Sequence, residues 1–180
     1  RGGHIEHATD MSGGIETLAV YNAQNGTNKM FASSDSNLWD ASSAGAVGAA
    51  EAVTVTNGRW QSLNMGDGTN NWLLMFNGTD KPLYYNGTAW TEVDAASTPA
   101  LTGVTSTTLI APMVYQGRLF LIQKETLSVW YLAAGAVGGA LTEFDFSTLC
   151  KMGGYLMAHA AWTIDGGDGV DDYAAFVTSE

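Results

Sequence analysis

Cysteine is nearly absent from this chain: Cys150 stands alone among 180 residues. That excludes an intramolecular disulfide and the Cys-rich zinc patterns, and it reads Cys150 as a small buried apolar side chain. Proline is scarce as well, with three residues, so the turns must rest on Asn, Asp and Gly. Basic charge is the third shortage. Seven Lys and Arg face 18 Asp and Glu, for a net charge of −11, and no basic run exists. Phosphate neutralisation, which drives most nucleic-acid affinity, therefore has no surface, and a tight DNA binder is excluded. A surface that lies near DNA without holding it is compatible with that balance. No apolar run reaches the roughly 18–20 residues of a membrane-spanning helix, so no membrane insertion is expected. The nucleophile elbow, the P-loop and the dinucleotide fingerprint are missing too. We expect no enzyme, no catalytic residues and no cofactor. The opening Arg1-Gly2-Gly3-His4 has neither an initiating Met nor a signal-peptide layout, and leads us to expect a segment of a longer chain.

What is present points to strands. Hydrophobic residues make up 46% of the chain, charged residues only 14%, and glycines number 22, which suits an all-β protein with many tight turns. A strand-like run, a turn and a second short run with a large aromatic recur along it. Lys29-Met30-Phe31-Ala32-Ser33 precedes Leu38-Trp39-Asp40, and Trp72-Leu73-Leu74-Met75-Phe76 precedes Leu83-Tyr84-Tyr85. Arg118-Leu119-Phe120-Leu121-Ile122 precedes Val129-Trp130-Tyr131. Trp39, Tyr84 and Trp130 are 45 and 46 residues apart. A repeat of roughly 40–50 residues built from short strands marks β-propeller blades. The expected fold is all-β, with propeller-like blades of antiparallel meanders over residues 15–56, 57–104 and 105–150. A fourth over 155–180 stops after Asp172-Tyr173-Ala174-Ala175-Phe176-Val177, so we expect an incomplete propeller forming one region over 1–180.

Within each repeat the punctuation is consistent. Thr17-Leu18-Ala19-Val20-Tyr21 is β-prone, and Asn25-Gly26 after it is the strongest short-range hairpin signal. Val53-Thr54-Val55 is expected to begin the second blade, and Trp90-Thr91-Glu92-Val93 to close it. Residues 41–51 and 133–141 are rich in Gly and Ala and read as connectors, residues 94–104 as a linker, and residues 143–152 as a strand or a short docking segment.

Few groupings could carry chemistry. The turn at 165–172 brings Asp165, Asp168, Asp171 and Asp172 together with three glycines, the kind of loop that wraps Ca²⁺. Its spacing is not that of an EF-hand and it has no bidentate Glu, so we read a hairpin turn first and a Ca²⁺ site second. His4, His7 and Asp10 have ligand-like spacing without a fourth partner, and His159 is isolated; all read as packed or surface residues. Asn25-Gly26-Thr27, Asn77-Gly78-Thr79 and Asn86-Gly87-Thr88 match the glycosylation acceptor pattern, but each falls where a meander needs a turn. The segment from Ser33 to Trp39 loosely resembles an Asp-box, with Asn37 in the glycine place and one residue too few. The tryptophans and methionines read as core.

Three stretches carry a family resemblance. They are Tyr115-Gln116-Gly117-Arg118-Leu119-Phe120-Leu121-Ile122, then Ala136-Val137-Gly138-Gly139-Ala140-Leu141-Thr142-Glu143-Phe144-Asp145, and Trp162-Thr163-Ile164-Asp165-Gly166-Gly167-Asp168-Gly169-Val170-Asp171-Asp172-Tyr173. Together with Arg1-Gly2-Gly3 and Ile15-Glu16-Thr17-Leu18, they make the chain resemble propeller-type virion proteins of tailed bacteriophages and prophages. The nearest group is the tail nozzle, or lower tail tube, of short-tailed phages. The resemblance implies a structural virion protein without enzymatic activity, part of a longer protein. It implies a homo-oligomeric ring, six copies, bound to other tail proteins, with DNA passing through the axis without specific binding. The alternative expectation is a carbohydrate-binding or sialidase-like propeller acting at a cell surface.

Overall fold

A computed structural model describes residues 3, 5–34, 36–165 and 170–180. The chain is all-β: among the described residues there is no α-helix, and seventeen strands form six sheets, none of them closed. The first sheet is a meander of β2 (Thr17–Tyr21), β3 (Lys29–Ser33) and β4 (Leu38–Asp40). The second has four antiparallel strands, β6 (Gln61–Gly66), β7 (Asn71–Phe76), β8 (Leu83–Tyr85) and β9 (Trp90–Glu92). The third orders β11 (Leu109–Tyr115), β12 (Arg118–Gln123), β13 (Ser128–Tyr131) and β15 (Thr142–Asp145). A long hairpin of β16 (Leu156–Asp165) and β17 (Val170–Thr178) follows.

The turns explain the meanders. Asn25, Asn77 and Asn86 each accept, through the side-chain oxygen, the backbone N–H two residues on, from Thr27, Thr79 and Thr88 at 3.0, 3.0 and 2.9 Å. These are Asx turns, the role the Asn-Gly-Thr pattern suggests. Between β11 and β12, Gln116 and Gly117 both have positive φ, 48° and 71°, as the twist of a two-residue hairpin demands.

Register makes the repeat physical. Trp39 pairs with Ala32, Tyr84 with Leu74 and Trp130 with Leu121, so each aromatic sits on the third strand of its sheet beside the central one, although Tyr84 and Trp130 point into one shared core from its two sides. Because strand side chains alternate, every central strand has two faces to bury, and its apolar run is unbroken for that reason. In β7, Leu73 and Met75 join Ala19, Tyr21, Phe31 and Leu38 of the first sheet. Leu74 and Phe76 join Leu109, Leu119 and Leu121 of the third. The opposite face of the third sheet, through Ile122 and Val129, meets Leu156 and Phe176 of the hairpin. The sheets thus stack face to face in chain order, each core shared by two neighbours.

Several expectations need correction. Val53-Thr54-Val55 forms no strand; Val55 is buried between the first two sheets, and the N–H of Thr54 is held by the Glu92 carboxylate at 2.6 Å. The Gly/Ala connectors contain paired residues. β5 (Gly45–Ala46) runs parallel to β1 (Ala8–Thr9), and β14 (Gly139–Ala140) runs parallel to β10 (Leu101–Thr102) inside the expected linker. In the first and third repeats, then, the segment entering the sheet pairs with the segment that follows its third strand. Residues 143–152 supply a fourth strand through β15. Residues 155–180 make a two-stranded hairpin with strands of ten and nine residues.

Candidate functional site

Of the residues nominated for metal binding, only His7, Asp10 and Asp172 have described side chains. His7 and Asp10 are exposed, and His4 lies outside the described residues. Asp168 also lies outside them, as do the side chains of Asp165 and Asp171. β16 runs to Asp165 and β17 restarts at Val170. Asp172 belongs to β17: its backbone oxygen accepts the Tyr115 hydroxyl at 2.5 Å, and its carboxylate accepts Thr163 Oγ1 at 2.8 Å. Among the described residues no group of three or more His, Cys, Asp or Glu could hold a metal ion. Of the Asp-box-like segment, Asp35 is outside the described residues, while Ser33 and Ser34 are fully buried. Cys150 is half-buried in a turn rather than in a core. His159 is packed as expected. Its Nε2 bonds the Ala111 carbonyl, Nδ1 is buried without a partner, and burial lowers its pKa against the opposing effect of that bond.

One buried carboxylate escaped the sequence. Asp80, 8% exposed, lies in the β7–β8 turn and accepts four hydrogen bonds. They come from Thr56 Oγ1, Thr56 N–H at 2.9 Å, Asn57 N–H at 3.2 Å and Asn77 Nδ2 at 2.9 Å. Burial pushes its pKa up, but these donors win and hold it below the ordinary carboxylate value. With every oxygen engaged inward, Asp80 is a staple between turn and connector, and no base for a substrate.

The connector it holds approaches the first sheet very closely at Gly58. A Cβ there would fall 2.2 Å from the Ser34 carbonyl oxygen. Thr17 Oγ1 donates to the Gly58 carbonyl at 2.7 Å and accepts the Trp60 N–H at 2.9 Å. Only glycine lets two backbones pass at that distance.

At the opposite rim, the turns of the first two sheets enclose a polar cavity of about 360 Å³, walled by Tyr21, Lys29, Asn25, Asn70, Asn71 and Asn86 among others. Amides knit the sheets together beside it. Asn64 Nδ2 donates to the Val20 carbonyl at 2.7 Å, its Oδ1 accepts Asn22 N–H at 2.9 Å, and Asn71 Nδ2 donates to the Asn22 carbonyl at 2.9 Å. No carboxylate lines this cavity.

The two ends of the stack differ from everything between them. On the first sheet Ala19 and Tyr21 turn inward, while Leu18 and Val20 face solvent, 62% and 45% exposed. On the hairpin the outward face carries Ala158, Ala160, Trp162, Tyr173, Ala175 and Val177, with no charged residue among the six. Trp162 and Val177 are 60% and 56% exposed. Contiguous exposed apolar surface of this kind marks protein contact. The sequence carried the alternation, but not which face of a terminal sheet is left uncovered.

No protein-family model, no curated protein and no solved structure matches the chain.

Proposed function

We propose that this chain is a structural, non-catalytic part of a bacteriophage tail, a component of a nozzle or lower tail-tube ring whose sheets are propeller blades. The observation that carries the reading is the stack itself: successive meanders bury both faces of each inner sheet, and apolar residues stand open on the edge strand β2 at one end and across the outer face of the hairpin at the other. Such a module is built to pack against more protein. In a ring each copy presents two different faces to its neighbours, a heterologous arrangement that closes by rotation. Charge supports the same reading. Lys29, Arg59 and Lys81 are each paired with a carboxylate, at 2.8, 3.0 and 2.7 Å. Exposed acids such as Glu6, Glu125 and Asp145 are left to dominate the surface. A channel wall of that sign repels DNA and lets it slide.

Native mass spectrometry with electron-microscope class averages tests the proposal. Closed rings with an open axis, six copies around, are the expected result; a monomer at micromolar concentration with no ring would overturn it. A carbohydrate-binding propeller is the second reading, favoured by the amide-rich rim cavity beside Tyr21. It predicts saturable binding in a glycan screen that Asn71→Ala abolishes.

A further inference from the structure

One interface in the stack is not closed. Between the third sheet and the hairpin lies a cleft of about 400 Å³, open to solvent. Its walls are Tyr115, Phe120, Tyr131, Phe144, Phe146 and Phe176. Phe120 and Tyr131 are stacked at 5.4 Å, and Phe146 stands 4.7 Å from both Phe144 and Phe176. The space exists because of what faces this aromatic wall. Ala174 on β17 lines the cleft, and its cross-strand partner is Ala161, so two methyl groups stand where the corresponding interface of the second and third sheets has leucines and aromatics. A volume of this size, apolar and ring-lined, is that of a small-molecule site.

The rim adds a charge. The Arg118 guanidinium lies 5.9 Å from the Tyr131 ring centre and donates Nη1 to the Leu132 carbonyl at 3.3 Å. Among the described residues Arg118 has no carboxylate partner, in a chain where acids outnumber bases more than two to one. On the hairpin, the Asp172 carboxylate is engaged by Thr163 Oγ1. Arg118 keeps free donors beside an aromatic slot, where a planar guanidinium pairs best with a carboxylate, sulfonate or phosphate.

We propose that this cleft binds a small aromatic anion, its ring sandwiched between the Phe120–Tyr131 wall and Ala174 and its acidic group read by Arg118. The site does not depend on the tail reading. Ligand and protein exchange no atoms; this is recognition alone.

The test uses the full chain and two fluorescent probes, 1-anilinonaphthalene-8-sulfonate and its uncharged relative N-phenyl-1-naphthylamine. Both are expected to saturate one site. Arg118→Gln should weaken the sulfonate about tenfold and leave the neutral probe unchanged, the loss of one charge-assisted contact. Ala174→Phe should fill the slot and abolish both signals with the melting temperature preserved. Should that variant misfold, Phe144→Ala on the exposed wall must weaken both probes. Binding that survives these slot variants places the probes on the open outer faces and overturns the proposal. So does Arg118→Gln acting on both probes alike, or probe affinity that falls as protein concentration rises, which means a second copy fills the slot.

Discussion

In the second sheet, both faces of β7 are shut. Leu73 and Met75 lie against the first sheet, Leu74 and Phe76 against the third, and all four are wholly buried. In the hairpin one face meets a cleft with room to spare, and the other is open along Trp162, Tyr173 and Val177. Both elements are built of apolar strands, so the difference lies in what each has for a neighbour. Burying a large apolar side chain stabilises by roughly 1.5–3 kcal/mol, and of these two elements the second sheet alone collects that on both sides. The middle of the stack is where stability resides; the hairpin is where surface is left for other uses.

The sharpest way to break this contrast is a matched pair of truncations. Leu74→Ala should cost about 3–4 kcal/mol, the transfer loss plus a cavity that two rigid sheets cannot close. Trp162→Ala should change stability by less than about 0.5 kcal/mol while reducing self-association. Urea melts and sedimentation of both variants decide the matter, and equal losses of stability would erase the distinction. Next in size is Gly58→Ala. The new methyl must displace the Ser34 carbonyl, and about 2–3 kcal/mol should be lost in the same melts.

The two regions should also part company with pH. Burial sets the folded pKa of His159 below its ordinary value of 6.5, so the unfolded chain takes up the proton first. Hairpin stability should therefore fall as pH drops below about 6.5, and stop falling once the folded pKa is passed. Asp80 works the other way: its folded pKa lies below 3.8, so its contribution is complete above that value and is lost only as pH falls further. Hydrogen exchange at pH 7 and 5.5, corrected for intrinsic rates, should show loosened amides in β16 and β17 and unchanged ones in β7. Uniform loosening would contradict the split. The smallest effect concerns Tyr84, whose fully buried hydroxyl has no hydrogen-bond partner and whose pKa burial raises far above the ordinary value. Tyr84→Phe should leave stability unchanged or raise it by up to about 1 kcal/mol, because no bond is lost. A marked drop in the melting temperature would reveal a partner for that oxygen.

Which parts of this could be read from residues alone follows from how far each signal reaches along the chain. The aromatics at 39, 84 and 130 and the Asn-Gly turns are local, and they placed the strands of the first three sheets closely. Val53-Thr54-Val55 misled because β-branched side chains favour strands, whereas here Val55 serves packing and Thr54 bonds a carboxylate 38 residues away. The parallel pairs β1–β5 and β10–β14 join Gly/Ala segments too plain to announce a partner. The Asp80 staple was invisible for a similar reason: Asn77-Gly78-Thr79-Asp80 reads as a turn, and its donors at Thr56 and Asn57 lie 24 and 23 residues upstream. The aromatic cleft needs Ala174 to meet Phe120, a pairing that exists only once the hairpin has docked.

Because each core is shared by two neighbouring sheets, no sheet owns one. The unit that repeats along the chain is therefore not the unit that is stable: a single meander cut free would expose both its faces. Adding or deleting a whole repeat leaves matching faces to meet, whereas a cut inside a repeat leaves two wounds. A protein built this way can change length in steps of one sheet while keeping its packing rule, and the place where such a step is easiest is the end that is already open.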